Sequence, residues 1–141
     1  MIAKLILCVF LIRATITDIT KRKIENRIVI GMLIGRVAIY FGNYWCGQTI
    51  IFDVNTASSQ LIITIVLTLF YFIGRDNIGT GDIKLLLAGQ LFFEDKELIP
   101  WFMLMSISTM ITSFIVGKQK RLPLAPFVLF STLIIAIVNY I

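Results

Sequence analysis

Residues 61–73 read Leu-Ile-Ile-Thr-Ile-Val-Leu-Thr-Leu-Phe-Tyr-Phe-Ile, thirteen consecutive residues without a charge. Further apolar blocks, separated by polar clusters, lie on both sides of this segment, at residues 2–17, 28–45, 83–93, 98–116 and 124–141. The 141 residues are 58% hydrophobic and 15% charged, whereas soluble domains carry about 25% charged residues. Because lipid offers backbone groups no hydrogen-bond partners, apolar blocks of this kind form helices in a membrane. The sequence therefore predicts an all-α, polytopic integral membrane protein, a bundle of about six transmembrane helices forming a single membrane-embedded domain over residues 1–141.

The chain contains no histidine. This excludes Ser-His and Cys-His nucleophile pairs, the H-E-x-x-H zinc motif and most other zinc sites. The two cysteines, Cys8 in an apolar block and Cys46 in a polar connection, lack C-x-x-C spacing. We therefore predict no metal and no cofactor, and any hydrolytic chemistry depends on carboxylates, Lys, Ser or Cys.

Basic residues concentrate in alternate connections between the predicted helices. The second and fourth connections contain Lys96 beside Asp53, Glu94, Asp95 and Glu97, whereas the first, third and fifth contain Lys21, Arg22, Lys23, Arg27, Arg75, Lys84, Lys118, Lys120 and Arg121. Since Lys and Arg collect on the cytoplasmic side of short loops, the basic loops are predicted to face the cytoplasm, with both termini outside. A basic face beside anionic membrane lipids also accounts for the net charge of +5, so nucleic acid is not a predicted partner.

Two carboxylates, Asp18 and Asp82, are predicted to lie on this same cytoplasmic side. Asp18 ends the first apolar block, and Asp82 closes the segment Gly79-Thr80-Gly81-Asp82 before the fourth. Two neighbouring carboxylates do not readily both ionise, so one keeps a proton and the pair can act on one water as acid and base. Lacking Cβ atoms, the glycines at 79 and 81 can take positive φ and let an extended substrate approach, and a helix N-terminus at Asp82 is expected to favour its ionised form.

Each of these residues also has a purely structural interpretation. Asp82 alone could be an N-cap after a glycine turn, and Asp18 alone could be the solvated flank of a membrane span. Lys84 fits a topology charge better than a catalytic base, and Asp76, beside Arg75, is a reserve candidate for the second acid.

Three segments together resemble the type IV prepilin peptidases, which belong to the wider group of G-x-G-D membrane aspartic proteases. They are Asp18 with the following Lys-Arg-Lys-Ile-Glu-Asn at 21–26, Gly-Thr-Gly-Asp-Ile-Lys-Leu-Leu at 79–86, and Arg-Leu-Pro-Leu-Ala-Pro-Phe at 121–127. The resemblance implies that Asp18 and Asp82 are catalytic and that Asn26, Gly79, Gly81 and Lys84 shape the loops that the substrate approaches. It further implies removal of short leaders from prepilin-like or pseudopilin-like substrates at the cytoplasmic face of a prokaryotic cell membrane. The third segment resembles the family's final loop, which is not catalytic.

The chain departs from the family in two respects. Glu25 stands where the family usually has proline, which loosens the expected turn before Asn26. The cysteine-rich segment of the longer members is also missing, so the resemblance implies a peptidase without methyltransferase activity and without zinc. Two alternatives stay open: a G-x-G-D peptidase acting on other membrane or signal peptides, and a non-catalytic membrane scaffold or small transporter in which the two aspartates only cap helices. No oligomeric state is predicted.

Overall fold

The computed structural model describes residues 2–46, 54–73, 79–116 and 122–140. Within these ranges the chain forms helices and no β-strand, which confirms the predicted all-α class. The helices are α1 (Ile2–Lys21), α2 (Asn26–Trp45), α3 (Val54–Ile73), α4 (Thr80–Gln90), α5 (Asp95–Val116) and α6 (Ala125–Val138).

Three of these helices, α2, α3 and α5, are long and apolar enough to cross a membrane. The 14 residues of α6 form a shorter apolar helix. At about 1.5 Å per residue, the 11 residues of α4 span only about 16 Å, roughly half of a hydrocarbon core. The protein is thus a helical membrane protein in which α4 is a short helix inside the bundle rather than a full span.

Large apolar side chains cover the outside of the bundle. Val9 of α1, Phe41 of α2, Phe72 of α3 and Phe114 of α5 are all more than half exposed. A continuous exposed apolar surface of this extent is unfavourable in water and matches the surroundings of lipid. The outer surface therefore faces lipid, and α3 is the most peripheral helix, with no fully buried residue in its apolar window.

The helices pack as a ring in the order α1, α2, α4, α3, α5, α6, and α6 closes the ring on α1. The short helix α4 also contacts α6 across the bundle. Its inward residues Leu85, Leu86, Ala88, Gly89 and Gln90 are buried. Because α4 is enclosed by its neighbours, its first turn has a fixed position relative to the ends of α1 and α6.

Trp101 of α5 is the largest fully buried side chain and joins three helices. Its ring stacks on Phe93 with a centroid distance of 4.6 Å, and its Nε1–H donates to the Thr132 hydroxyl of α6 at 3.1 Å. A Cβ on Gly89 of α4 would lie 3.2 Å from the indole, so glycine allows α4 to approach. The buried indole has its polar group satisfied and holds α4, α5 and α6 together.

An ion pair lies at the end of the bundle where α1 and α5 begin and α6 ends. Lys4 Nζ is 2.5 Å from Glu97 Oε1, and their side chains are only 14% and 7% exposed. The amide of Asn139 and the backbone N–H of Glu94 also donate to the Glu97 carboxylate. This polar cluster joins three helices at the end of the bundle opposite to Asp18 and Asp82.

Candidate active site

A cavity of about 920 Å³ opens at the end of the bundle where α1 finishes and α2, α4 and α6 begin. Asp18 and Asp82 both line it, although they are far apart in sequence. The other lining residues come from the α1–α2 connection, the start of α4 and the segment before α6; they are Arg22, Lys23, Ile24, Glu25, Asn26, Arg27, Gly79, Thr80, Gly81, Lys84, Leu122 and Pro123. This cavity is called the aspartate cleft below.

Asp18 lies in the last turn of α1 and is only 6% exposed. Its Oδ2 accepts a hydrogen bond of 3.0 Å from the backbone N–H of Ala125, which is 107 positions away and begins α6. Burial rules out the interpretation of Asp18 as the solvated flank of a span. The carboxylate instead faces the positive end of α6, where an ionised side chain is stabilised.

The start of α6 explains why a carboxylate from another helix is needed there. Leu124 occupies the N-cap position and has no side-chain acceptor, while Pro126 has no N–H. The N–H groups of Phe127 and Val128 both reach the Leu124 carbonyl, at 3.0 and 3.2 Å. The N–H of Ala125 is the remaining free donor of the first turn, and the Asp18 carboxylate accepts a hydrogen bond from it.

Asp82 is the third residue of α4 and is half-buried in the wall of the cleft. Burial and then the negative charge of Asp18 raise its pKa from 3.8 to about 6. The expectation that a helix N-terminus would favour ionised Asp82 is therefore wrong, because loss of solvation and repulsion by Asp18 outweigh the helix dipole. The N-cap interpretation is also wrong, since Gly79 is the N-cap and no side-chain cap hydrogen bond forms.

The two glycines allow close approach rather than unusual backbone angles. Gly79 has φ −66° and ψ 131°, which any residue adopts, and Gly81 lies within α4, so neither glycine uses the positive φ that it could take. A Cβ on Gly79 would lie 2.9 Å from Oδ2 of Asp82. A Cβ on Gly81 would lie 3.1 Å from Cβ of Ile24, a buried residue of the α1–α2 connection. Gly79 thus leaves room for the carboxylate, and Gly81 lets the connection pack on α4.

Arg22 turns the chain from α1 towards the cleft. Its φ of +49° is the left-handed conformation, and among the described residues it is the one non-glycine residue with positive φ. Its N–H donates to the Asp18 carbonyl at 2.9 Å, so the helix ends one turn after the catalytic candidate. Nothing in the local sequence indicates a left-handed residue here, and the packing of Ile24 on α4 and the contact of Ala125 with Asp18 could not be predicted either.

Asn26 and Lys84, both predicted to shape the loops, meet at the rim of the cleft. The Lys84 ammonium donates to Oδ1 of Asn26 at 3.2 Å, so α4 is linked to the first residue of α2. Glu25 is the N-cap of α2 without a capping hydrogen bond, and its carboxylate lies 3.5 Å from the exposed Lys21 ammonium. Both exposed contacts fix the rim only weakly.

A family model described as the type IV leader peptidase family matches residues 5–140. The chain belongs to the type IV leader peptidase family. A search of the curated proteins and a search of the solved structures each found no match. Membership confirms the resemblance seen in the sequence and makes this chain a protease of the leader peptidase type.

Some residues singled out in the sequence lie outside the described residues. They include Asp76, the reserve candidate for the second acid, and the loop charges Arg75, Asp53 and Arg121. Among residues 2–46, 54–73, 79–116 and 122–140, no three Cys, Asp or Glu side chains form a group that could hold a metal ion. Both cysteines are free: Cys8 is buried in α1, and Cys46 is exposed after α2. Within the described residues, the groups available for hydrolysis are thus the two carboxylates in the aspartate cleft.

Proposed function

We propose that this protein is a membrane aspartic endopeptidase that removes the N-terminal leader of prepilin-like substrates, with Asp18 and Asp82 as the catalytic pair. The observation that supports this proposal is the shared cleft, in which Asp18 is close enough for its charge to raise the pKa of Asp82. Membership of the leader peptidase family supports a precursor with an N-terminal leader as the substrate.

The surroundings of the two carboxylates differ in a way that assigns them different roles. Asp18 already accepts an N–H from the start of α6 at Oδ2, so we assign it the role of the base. Asp82, whose pKa is raised to about 6, is the better placed to hold the shared proton and act as the acid. Both groups titrate as a pair rather than independently.

The reaction then follows from these roles. Ionised Asp18 takes a proton from water as the water oxygen attacks the scissile carbonyl, and protonated Asp82 gives its proton to the carbonyl oxygen. The result is a neutral gem-diol, with Asp18 protonated and Asp82 ionised. Asp18 then protonates the amide nitrogen, the C–N bond breaks, and one diol hydroxyl returns its proton to Asp82. The pair ends as it began, without a covalent intermediate.

The proposed orientation in the membrane follows from charge. The end of the bundle that contains the cleft contains Lys21, Arg22, Lys23, Arg27 and Lys84, whereas Glu94, Asp95 and Glu97 lie at the opposite end beside Lys96. Basic loops stay on the cytoplasmic side, so the cleft faces the cytoplasm and both termini lie outside. The cell membrane of a prokaryote is the proposed location.

The proposal is tested by co-expression with a prepilin precursor that has a leader, a glycine at the junction and an apolar helix. Asp18→Asn and Asp82→Asn each leave the precursor uncut, because neither half of the acid–base pair functions alone. Asp95→Asn is the matched control: this aspartate is exposed at the other end of the bundle, so its variant processes normally. Full processing by either cleft variant rejects the catalytic pair.

A panel of signal peptides assayed beside the prepilin distinguishes the substrate classes. Cleavage of the prepilin alone supports the proposed specificity, and cleavage of signal peptides alone indicates a G-x-G-D peptidase with another substrate. If no substrate is cut while both Asp→Asn variants lose stability, the non-catalytic scaffold is the better interpretation.

A further inference from the structure

A second, smaller cavity of about 380 Å³ lies beside the aspartate cleft. One wall is a face of α5 formed by Ser106, Thr109, Met110 and Ser113, and the other is the segment 122–124 before α6. We call it the α5 groove. Its position matters because Leu122 and Pro123 line both the groove and the aspartate cleft. A chain leaving the cleft past Pro123 therefore enters the groove directly.

The groove runs along α5 for about two turns. Its four α5 residues follow the spacing i, i+3, i+4, i+7, which places them on one helix face over about 10 Å. The helix itself is long and apolar enough to cross the bilayer. Its last residue lies at the end of the bundle that contains the cleft, so the groove extends from the cleft into the depth of the membrane.

The groove is uncharged, and one of its hydroxyl groups is already bonded within α5. The Thr109 hydroxyl donates to carbonyls of its own helix, at Met105 (2.9 Å) and Ser106 (2.8 Å). Met110 is 61% exposed and gives the groove an adaptable apolar side chain. A wall of small, uncharged residues lets a second helix approach the α5 backbone closely within lipid.

We propose that the α5 groove binds the apolar helix of the substrate while the leader junction lies in the aspartate cleft. This inference rests on the proposed function, because the occupant is the helix that follows the cut. An apolar helix matches the uncharged walls, and the shared wall at Leu122 and Pro123 gives a continuous path from the scissile bond to the groove. The segment 122–124 would then guide the substrate, and the Ala125 N–H that follows it would hold Asp18 beside the same junction.

Cross-linking tests the location without requiring catalysis. The background variant has Cys8 and Cys46 replaced by Ser, and Asp82→Asn to prevent cleavage. Either Ser113→Cys or Ser106→Cys is added to it. Each variant is combined in proteoliposomes with a prepilin precursor that has single cysteines along its helix. Both positions are expected to cross-link to the precursor helix. Ser58→Cys, an exposed serine of α3 outside both cavities, is the matched control and is expected not to cross-link. Cross-linking no stronger at positions 106 and 113 than at position 58 would overturn the proposal.

Filling the groove tests its contribution to processing. Ser113→Leu and Thr109→Leu are expected to lower kcat/KM for the full precursor about tenfold, mainly through KM, because the substrate helix loses its place. Ser58→Leu is expected to leave processing unchanged. Normal processing by both groove variants would overturn the proposal even if the aspartate variants are inactive, so the groove can fail while the proposed catalytic pair stands. Conversely, if the aspartate variants stay active while positions 106 and 113 cross-link specifically, the catalytic pair is rejected and the groove is retained.

Discussion

Replacement of Asp82 by Asn should make the protein inactive and, at neutral pH, more stable. The folded state raises the pKa of Asp82 from 3.8 to about 6, first because burial removes water from the carboxylate and then because Asp18 repels it. Between these two values the folded protein binds more protons than the unfolded chain, so the stability due to Asp82 is fully present below about pH 4 and is lost as the pH rises through about 6. Asparagine has the same shape and no charge, so it removes this dependence.

The size of the effect follows from the same pKa. One pKa unit corresponds to about 1.4 kcal/mol, so a pKa raised from 3.8 to about 6 amounts to about 3 kcal/mol if screening is neglected. Asp82 is only half-buried at the wall of an open polar cleft, and solvent screening reduces this to about 1–2 kcal/mol. A gain of that size raises the melting temperature by roughly 3–8 °C.

The assay is thermal unfolding of the purified protein in detergent at about pH 4 and about pH 8. Asp82→Asn should melt higher than wild type at the higher pH and close to wild type at the lower pH. Asp95→Asn, an exposed aspartate at the other end of the bundle, should match wild type at both. An Asp82→Asn variant that melts at or below the wild-type temperature at the higher pH would refute the electrostatic argument.

Four further predictions follow from named contacts. Because Asp82 is the proposed acid, kcat/KM of wild type should fall as pH rises through about 6; a constant value across that range in a processing assay contradicts this assignment. Gly79→Ala should reduce processing at least about tenfold with little change in melting temperature, since a Cβ 2.9 Å from Oδ2 displaces the carboxylate while φ −66° suits alanine; unchanged kcat/KM would count against it. Arg22→Gly should stabilise the fold by about 0.5–1 kcal/mol by relieving a φ of +49°, and a lower melting temperature would be the contrary result. Lys4→Met should destabilise by about 1–3 kcal/mol, because the buried Glu97 carboxylate loses its cation and keeps only the neutral donors of Asn139 and Glu94; an unchanged melting temperature would count against this ion pair.

The hydropathy pattern predicted the helical segments closely, and the largest difference is at the start of α3. The sequence predicted a block from residue 61, whereas α3 begins at Val54. The additional turns are polar, but their side chains bond to neighbouring helices: Gln60 donates to the Gln90 and Phe93 carbonyls at 3.3 and 3.2 Å, and the Asp95 N–H donates to Thr56 at 3.2 Å. Hydropathy cannot show such partners, because they lie 30 or more positions away along the chain.

The two carboxylates of the candidate site could be selected from the sequence, but the raised pKa of Asp82 could not be predicted from it. Asp18 and Asp82 could be selected because carboxylates are rare in an apolar chain and loop charge puts both at one end of the bundle. The predicted charge preference of Asp82 was wrong, and the reason for glycine at 79 and 81 could not be predicted, because both depend on what packs around α4. It also gave no indication that the N–H of Ala125 would meet Asp18.

The sequence by itself determined the membrane class, the helical segments and the two carboxylates, since these depend on composition and on periodicity within one segment. The tertiary structure decided that the pKa of Asp82 is raised, that Asp18 accepts the N–H of Ala125, why glycine is needed at 79 and 81, and where a groove meets the cleft. Those properties come from distances between α1, α4, α5 and α6, and burial and Coulomb interactions depend on such distances rather than on neighbours in sequence.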